Sequence, residues 1–308
     1  MTAPFITFEQ GESVLDWIAL SDAIAAGHDL PKAEIGDTFL YRGEDTLLSR
    51  SAWITGLGVA VKTATIFPGN KAQGRPAVNG ATNLFSDETG MLDASIDFHL
   101  ITKWKTAGDS LLAARRLARP DSRRILLIGA GTVATNMRAA YATAFPDAEF
   151  TVWNRSPAGA EAMASAHPGM QIATSLEQAV ARADIICCAT MATEPVLRGA
   201  WLQPGQHVDL IGAYHAGMRE ADDDALRRAS LFVDSRDTTL DHIGELKTPL
   251  ADGVITPDDI RADYYQLGTF ARQSEDEITL AKNGGGAHLD LMVARHILTA
   301  WTARHTAE

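Results

Sequence analysis

Hydrophobic and polar positions change rhythm along the chain, and each change marks a different kind of element. From Glu12 to Ala26, the positions Val14, Leu15, Ile18, Ile24 and Ala25 recur at near-helical intervals, which predicts an amphipathic helix. Between Phe39 and Asp97 the texture becomes short β-prone runs broken by turn residues. TLLSRSAWI, GVAVKTATIF, AVNGATNLF and MLDASI read as strands, and Ser86-Asp87-Glu88-Thr89-Gly90 turns the last two into a hairpin. Four runs joined by short turns predict an antiparallel or mixed sheet. The pattern is helical again from His99 to Arg119 and stops at Pro120.

From residue 123 strands and helices alternate. Arg123–Ile128 runs straight into Gly129-Ala130-Gly131, a helix covers about Val133–Phe145, and Phe150–Trp153 is the next strand. Ile172–Thr174, Asp184–Ala189, His207–Ile211 and Leu231–Asp234 continue the series, with helical stretches between them. Such alternation implies a parallel, doubly wound α/β sheet. After Gly284-Gly285-Gly286 a last helix, about Ala287–His305, has no strand to follow it. We expect it to return to the first domain. The predicted division is therefore a discontinuous α+β domain, 1–119 with 287–308, and a second domain, 120–286.

Composition narrows the setting. The 308 residues suit about two domains and bury enough surface to need no covalent staples. A net charge of −12 leaves no basic stripe for a nucleic-acid backbone. No 18-residue apolar run predicts a membrane span, and MTAPFITFEQGE lacks the pattern of a secretory signal. Cys187 and Cys188 are adjacent in an apolar run and read as buried thiols. The nine histidines show no metal-ligand spacing. The expectation is a cytoplasmic protein that works without a metal.

The sharpest local signal is Gly129-x-Gly131-x-x-Ala134 between a strand and a helix. The first glycine permits a tight turn, the second lets a pyrophosphate approach the backbone, and the third, small residue packs the helix on the sheet. The helix N-terminus at Thr132 and Val133 then offers free N–H groups to the phosphates, beside Ala130. This is the Rossmann pattern. The second strand ends Trp153-Asn154-Arg155-Ser156, with no acid to hold ribose hydroxyls. Arg155 offers a planar fork for a 2′-phosphate, and Asn154 and Ser156 add neutral donors. NADP(H) is favoured over NAD(H). Thr190 and Met191 follow the fourth strand at the carboxyl edge, where ligands of such sheets bind.

These stretches, with others, carry a family resemblance. Val61-Lys62-Thr63, LFSDETG, Lys105-Thr106-Ala107, IGAGTVA, WNRS, Ala192-Thr193-Glu194-Pro195, Arg219-Glu220 and Phe232-Val233-Asp234-Ser235 occur in an order that resembles the ornithine cyclodeaminase/μ-crystallin family over nearly the whole chain. WNRS and ATEPVLRGAW look most like its ketimine-reducing branch. The resemblance implies a homodimer formed through the first domain, a nicotinamide site in the second, and a small imino or amino acid held between them. It implies reduction of a cyclic imino acid such as Δ1-pyrroline-2-carboxylate or Δ1-piperideine-2-carboxylate. The other readings are cyclodeamination with bound NAD and a non-catalytic NADPH-dependent ligand-binding protein.

Two departures bear on the choice. Lys105 stands where the family usually has arginine for the substrate carboxylate, so the charge stays and the bidentate fork is lost. Gly212-Ala213-Tyr214-His215 places Tyr214 where cyclodeaminases carry an aspartate, which turns the reading towards imine reduction. A carboxylate substrate calls for cations, and Lys62 and Lys105 are the candidates, with Arg42 a third. Alternation puts Lys62 on the face of Ala60 and Ala64, where on its own a lysine reads first as one reaching for solvent; with the resemblance the functional reading leads. For the proton, Lys62 and Tyr214 are the candidates, with His215 beside them. Asn79, before Gly80, marks either close approach to the ligand or a bulge. Asn283, at the start of the glycine run, and Gly212 complete the expected cofactor contacts; the run reads equally as a flexible joint.

Overall fold

The structure is a computed structural model and describes residues 3–306. It divides into two compact units: residues up to Lys105 together with those from Gly286 on, and Thr106–Gly285. In chain order the elements are β1 (Phe5–Ile6), α1 (Phe8–Glu12), α2 (Trp17–His28), β2 (Glu34–Arg42), β3 (Asp45–Ile54), β4 (Gly58–Ile66), β5 (Val78–Phe85), β6 (Leu92–Asp97) and α3 (Phe98–Leu117). There follow β7 (Arg124–Ile128), α4 (Thr132–Ala144), β8 (Glu149–Trp153), α5 (Pro157–Ala166), β9 (Gln171–Ile172), α6 (Leu176–Arg182), β10 (Ile185–Cys188), β11 (His207–Leu210) and α7 (Asp223–Arg228). The last are β12 (Ser230–Val233), α8 (Arg236–Thr239), α9 (Gly244–Ala251), β13 (Ile260–Ala262), β14 (Thr279–Lys282) and α10 (Ala287–Thr306).

The first unit is a six-stranded sheet in the order β1-β6-β5-β4-β3-β2, antiparallel except where β1 runs parallel to β6. Its hairpin at Ser86–Gly90 closes through Gly90, whose φ of 66° lies in the left-handed region that glycine reaches without strain. Along β4 the residues Gly58, Ala60, Lys62 and Ala64 are buried in alternation. α10 packs against β3, β4 and β5. Small residues on β4 let the helix lie close to the sheet, and the lysine is enclosed with them.

The predicted first helix starts later than its periodicity implied. Asp16 accepts a hydrogen bond from the Ala19 N–H and caps α2, while Thr7 and Gln10 form a capping box on α1. Val14 and Leu15 lie in the link. β2 escaped the sequence reading because all nine of its residues are exposed, so no alternation of buried and open positions marks it.

The second unit is an eight-stranded parallel sheet in the order β13-β12-β14-β11-β10-β7-β8-β9. Strand order reverses between β7 and β10. Its centre is apolar, with Leu126, Ile128, Ile186, Val208, Leu210, Leu231, Val233 and Leu280 all buried. Cys187 and Cys188 are free, buried thiols of β10. β13 and β14, three and four residues long, were not foreseen from the sequence. The units divide after Lys105, inside α3, and not at Pro120. A continuous helix carries no change of composition at that point, and Pro120 marks only where the helix ends.

Candidate active site

The second unit carries the features that fit a dinucleotide. In an open parallel sheet the ligand crevice lies at the carboxyl ends of the strands where their order reverses, here β7 and β10. Gly129 ends β7 with φ 112°, and a Cβ on it would fall 2.5 Å from the Ala189 carbonyl after β10. Glycine is obligatory there for the fold itself. Gly131 is different: its φ is −88° and a Cβ on it would meet nothing within 4 Å. Neither backbone nor packing demands glycine at 131, so the demand fits a group that approaches from outside.

No side chain caps α4, so its first N–H groups, including those of exposed Thr132 and half-buried Val133, remain open beside Ala130. Arg155 and Ser156 are exposed just past β8, and Ser156 begins α5 without capping it. Asn154 donates from Nδ2 to the Ser156 carbonyl, 2.9 Å away. These features accommodate a dinucleotide: the turn and open helix end would hold the pyrophosphate, and Arg155 the far ribose.

The carboxyl edge beyond β10 and β11 is held by buried carboxylates. Glu220 Oε1 accepts from the Thr190 N–H (2.7 Å) and hydroxyl (2.8 Å), and its Oε2 accepts from the N–H groups of Gly212 (2.6 Å) and Ala213 (3.2 Å). Glu245 in turn accepts from the N–H groups of Glu220 and Ala221. Lys282, fully buried, donates to the carbonyls of Leu210, Ala213 and Asn283. Burial pushes the Glu220 carboxyl up to about 7, with Glu245 adding to the rise and Lys282 opposing it.

Thr190 and Gly212 therefore shape the crevice; a Cβ at Gly212 would fall 2.1 Å from the Thr190 carbonyl. Met191 is exposed. Asn283 is buried: its Nδ2 donates to Ser110 Oγ (2.7 Å) and Asp209 Oδ1 (2.8 Å), while its Oδ1 has no hydrogen-bond partner among the described residues. The glycines after it do not form a loose joint, because Asp234 accepts from the N–H groups of both Gly284 and Gly285. Tyr214 is exposed on the loop after β11, edge-on to His215, whose Nδ1 accepts from the Gly217 N–H.

The first unit holds a cluster of cations. Cross-strand register places Arg50 of β3 opposite Lys62 of β4, and Lys62 opposite Thr82 of β5, in one row. Lys62 Nζ donates to Asp290 Oδ1 of α10 and to Thr102 Oγ1 of α3, both at 3.0 Å, and lies 4.7 Å from the centre of the Phe98 ring. Lys105 Nζ reaches the same Asp290 oxygen at 4.0 Å. Burial lowers the Lys62 ammonium to about 8, with Asp290 opposing and Lys105 and Arg50 reinforcing the drop. Lys62 is thus enclosed with two other cations, and does not reach for solvent.

Two expected members lie elsewhere. Arg42 is 80% exposed and pairs with Asp45 across the β2–β3 turn. Arg50, eight residues on, takes the position beside Lys62 and is tied to Asp37 at 2.6 Å. Asn79 pairs with Thr65, an odd number of residues from Lys62, so it sits on the opposite face of the sheet. Its amide donates to Pro76. Thr82 holds the place facing Lys62, with a buried hydroxyl that finds no partner among the described residues. Arg50 and Thr82 carried no signal beyond lying in predicted strands; only strand register selects them. Among the described residues no group of His, Cys, Asp and Glu is arranged to hold a metal, and no helix is long and apolar enough to cross a membrane.

The chain is 50% identical over 301 residues to a Δ1-pyrroline-2-carboxylate reductase of Paracoccus denitrificans, covering 95% of each chain. It superposes on a Thermococcus litoralis Δ1-pyrroline-2-carboxylate reductase in complex with NADH and L-proline with a TM-score of 0.88, at 25% identity and 98% coverage of both. An archaeal alanine dehydrogenase dimer with bound NAD gives a TM-score of 0.89 at 26% identity, covering 99% of this chain and 98% of that one. The profile of one family matches residues 53–305, and the chain belongs to it: the ornithine cyclodeaminase/mu-crystallin family.

Proposed function

We propose that the chain is an NADPH-dependent reductase of small cyclic imino acids, converting Δ1-pyrroline-2-carboxylate to proline or Δ1-piperideine-2-carboxylate to pipecolate. The observation that carries this reading is Lys62, a buried ammonium flanked by Arg50 and Lys105 with its pKa drawn down to about 8. Arg50 and Lys105 supply positive charge for the substrate carboxylate. The reduced nicotinamide, when bound, supplies a hydride to the imine carbon. Lys62 gives its Nζ proton to the imine nitrogen as the C=N π pair becomes an N–H bond, and the neutral lysine regains a proton from water. An ammonium near 8 is charged at neutral pH yet releases its proton more readily than an ordinary lysine. Tyr214 is assigned a hydrogen bond to the substrate nitrogen or to water beside it.

Arg155, exposed and without a neighbouring acid on its strand end, supports NADPH over NADH. A homodimer is supported by β2: this edge strand displays Ile35, Phe39, Leu40 and Tyr41, with Trp53 opposite Glu34 on β3. An exposed apolar edge of this kind invites a partner surface, here assigned to a second copy. The test is consumption of NADPH by the purified protein with Δ1-pyrroline-2-carboxylate, with NADH in parallel and light scattering for the oligomer. Oxidation of NADPH in strong preference to NADH is expected. No oxidation of either, with cofactor binding demonstrated, would remove the substrate assignment.

A further inference from the structure

We propose that Asp290 is a positioning residue of the cation site, holding the Lys62 ammonium in one orientation and keeping it charged beside two further cations. Its use in catalysis rests on the reductase reading; the electrostatic role does not. Three groups surround Lys62 Nζ: Asp290 Oδ1 and Thr102 Oγ1, both at 3.0 Å, and the face of Phe98. Thr102 gives its own proton to the Phe98 carbonyl at 2.8 Å, so its oxygen is left to accept from the lysine. Of the three, only Asp290 carries charge.

The surroundings make that charge decisive. Arg50 faces Lys62 from β3 and Lys105 faces it from α3, while Thr82 on β5 is neutral. The negative partner of Arg50, Asp37, is partly exposed and spent on that arginine. From α10 comes His288, and from α2 His28, its edge-on neighbour. Burial holds these two near 3 and near 4, so both are uncharged in the working range. Asp290 is the only buried carboxylate among the described residues of this unit. Burial alone would raise its carboxyl, but Lys62, Lys105 and Arg50 together bring it below the usual range. Its Oδ2 is buried without a hydrogen-bond partner among the described residues, unlike the fully occupied Glu220. A buried carboxylate left half-satisfied calls for a role other than stapling backbone.

Without Asp290 the lysine would face burial and two cations with nothing to offset them, and it would lose its proton at neutral pH. The test is a direct titration by NMR of the full chain with 13Cε-labelled lysine, the Lys62 resonance being identified by its loss in Lys62→Met. In Asp290→Asn the Lys62 midpoint should fall from near 8 by more than about one pH unit. Asp290→Glu should keep it nearer the parent value. Lys105→Met, which removes the competitor for the same carboxylate oxygen, should raise it, and this variant serves if Asp290→Asn does not fold. In turnover, Asp290→Asn should move the alkaline limb of kcat to lower pH with KM little changed. An unmoved midpoint in Asp290→Asn, or in Lys105→Met, overturns the proposal. A midpoint that falls in a protein that reduces no imine supports Asp290 and sinks the reductase reading alone.

Discussion

The two units each bury a cluster of charge, and the clusters are built in opposite ways. In the second unit carboxylates predominate: Glu220, Glu245, Asp234 and Asp209 surround the edge where Lys282 sits, and backbone N–H groups fill the oxygens of Glu220. In the first unit cations predominate: Arg50, Lys62 and Lys105 share one buried carboxylate, and Asp290 Oδ2 and the Thr82 hydroxyl have no hydrogen-bond partner among the described residues. A saturated carboxylate fixes loops in place and has nothing left to offer a ligand. An unsaturated cluster with excess positive charge can still gain by taking an anion. Abundance of buried charge is thus a poor guide to chemistry. Unused hydrogen-bonding capacity is a better one.

Breaking the unsaturated cluster should have the largest effect on rate. Lys62→Met is expected to lower turnover by about 10²–10⁴-fold, the range for losing a proton donor, in a steady-state assay. The same pair of proteins also tests the charge. The folded value near 8 lies below the unfolded 10.5, so between those pH values the unfolded chain holds a proton that the folded chain has lost. Wild-type stability therefore rises with pH across that window, and denaturant titrations should show it gaining on Lys62→Met from about pH 8 to about 10.5. A difference that stays flat would mean that Lys62 is not desolvated.

Breaking the saturated cluster should instead cost stability. Glu220→Ala leaves four donors of Thr190, Gly212 and Ala213 without their acceptor, and we expect a loss of roughly 2–4 kcal/mol in urea unfolding. Gly131→Ala sharpens the contrast from the ligand side. Its Cβ meets nothing in the folded chain, so the melting temperature should hold, while nicotinamide affinity falls at least about tenfold by fluorescence titration. Equal affinity would remove the glycine turn from the cofactor site. The smallest effect is expected at Arg155→Leu, a several-fold drop in preference for NADPH over NADH, on the order of 1 kcal/mol for one exposed charge contact.

Much of this was legible from the chain alone, though unevenly. The alternation of GVAVKTATIF put Lys62 on the face of Ala60 and Ala64, where it lies. The glycine turn announced β7 and α4 because backbone freedom and helix entry are encoded within a few residues. The partners of Lys62 were not legible. Arg42 and Arg50 look alike as arginines in a β-prone region, and only the β3–β4 register sets the second beside the lysine. The same register, carried on to β5, selects Thr82 and turns Asn79 to the other face. Asn283 is named by its place beside glycines, yet its Nδ2 is engaged by Asp209 and Ser110, far away in sequence.

By itself, then, the amino-acid sequence determined the elements whose signals are short-ranged: helix periods, strand alternation, and the Gly129–Gly131 turn between β7 and α4. Tertiary structure decided which charges meet. Lys62 and Asp290 stand 228 positions apart and touch at 3.0 Å. No local pattern can specify such a pair, because it arises only when α10 closes over the β3–β4–β5 face and burial makes each charge depend on the other.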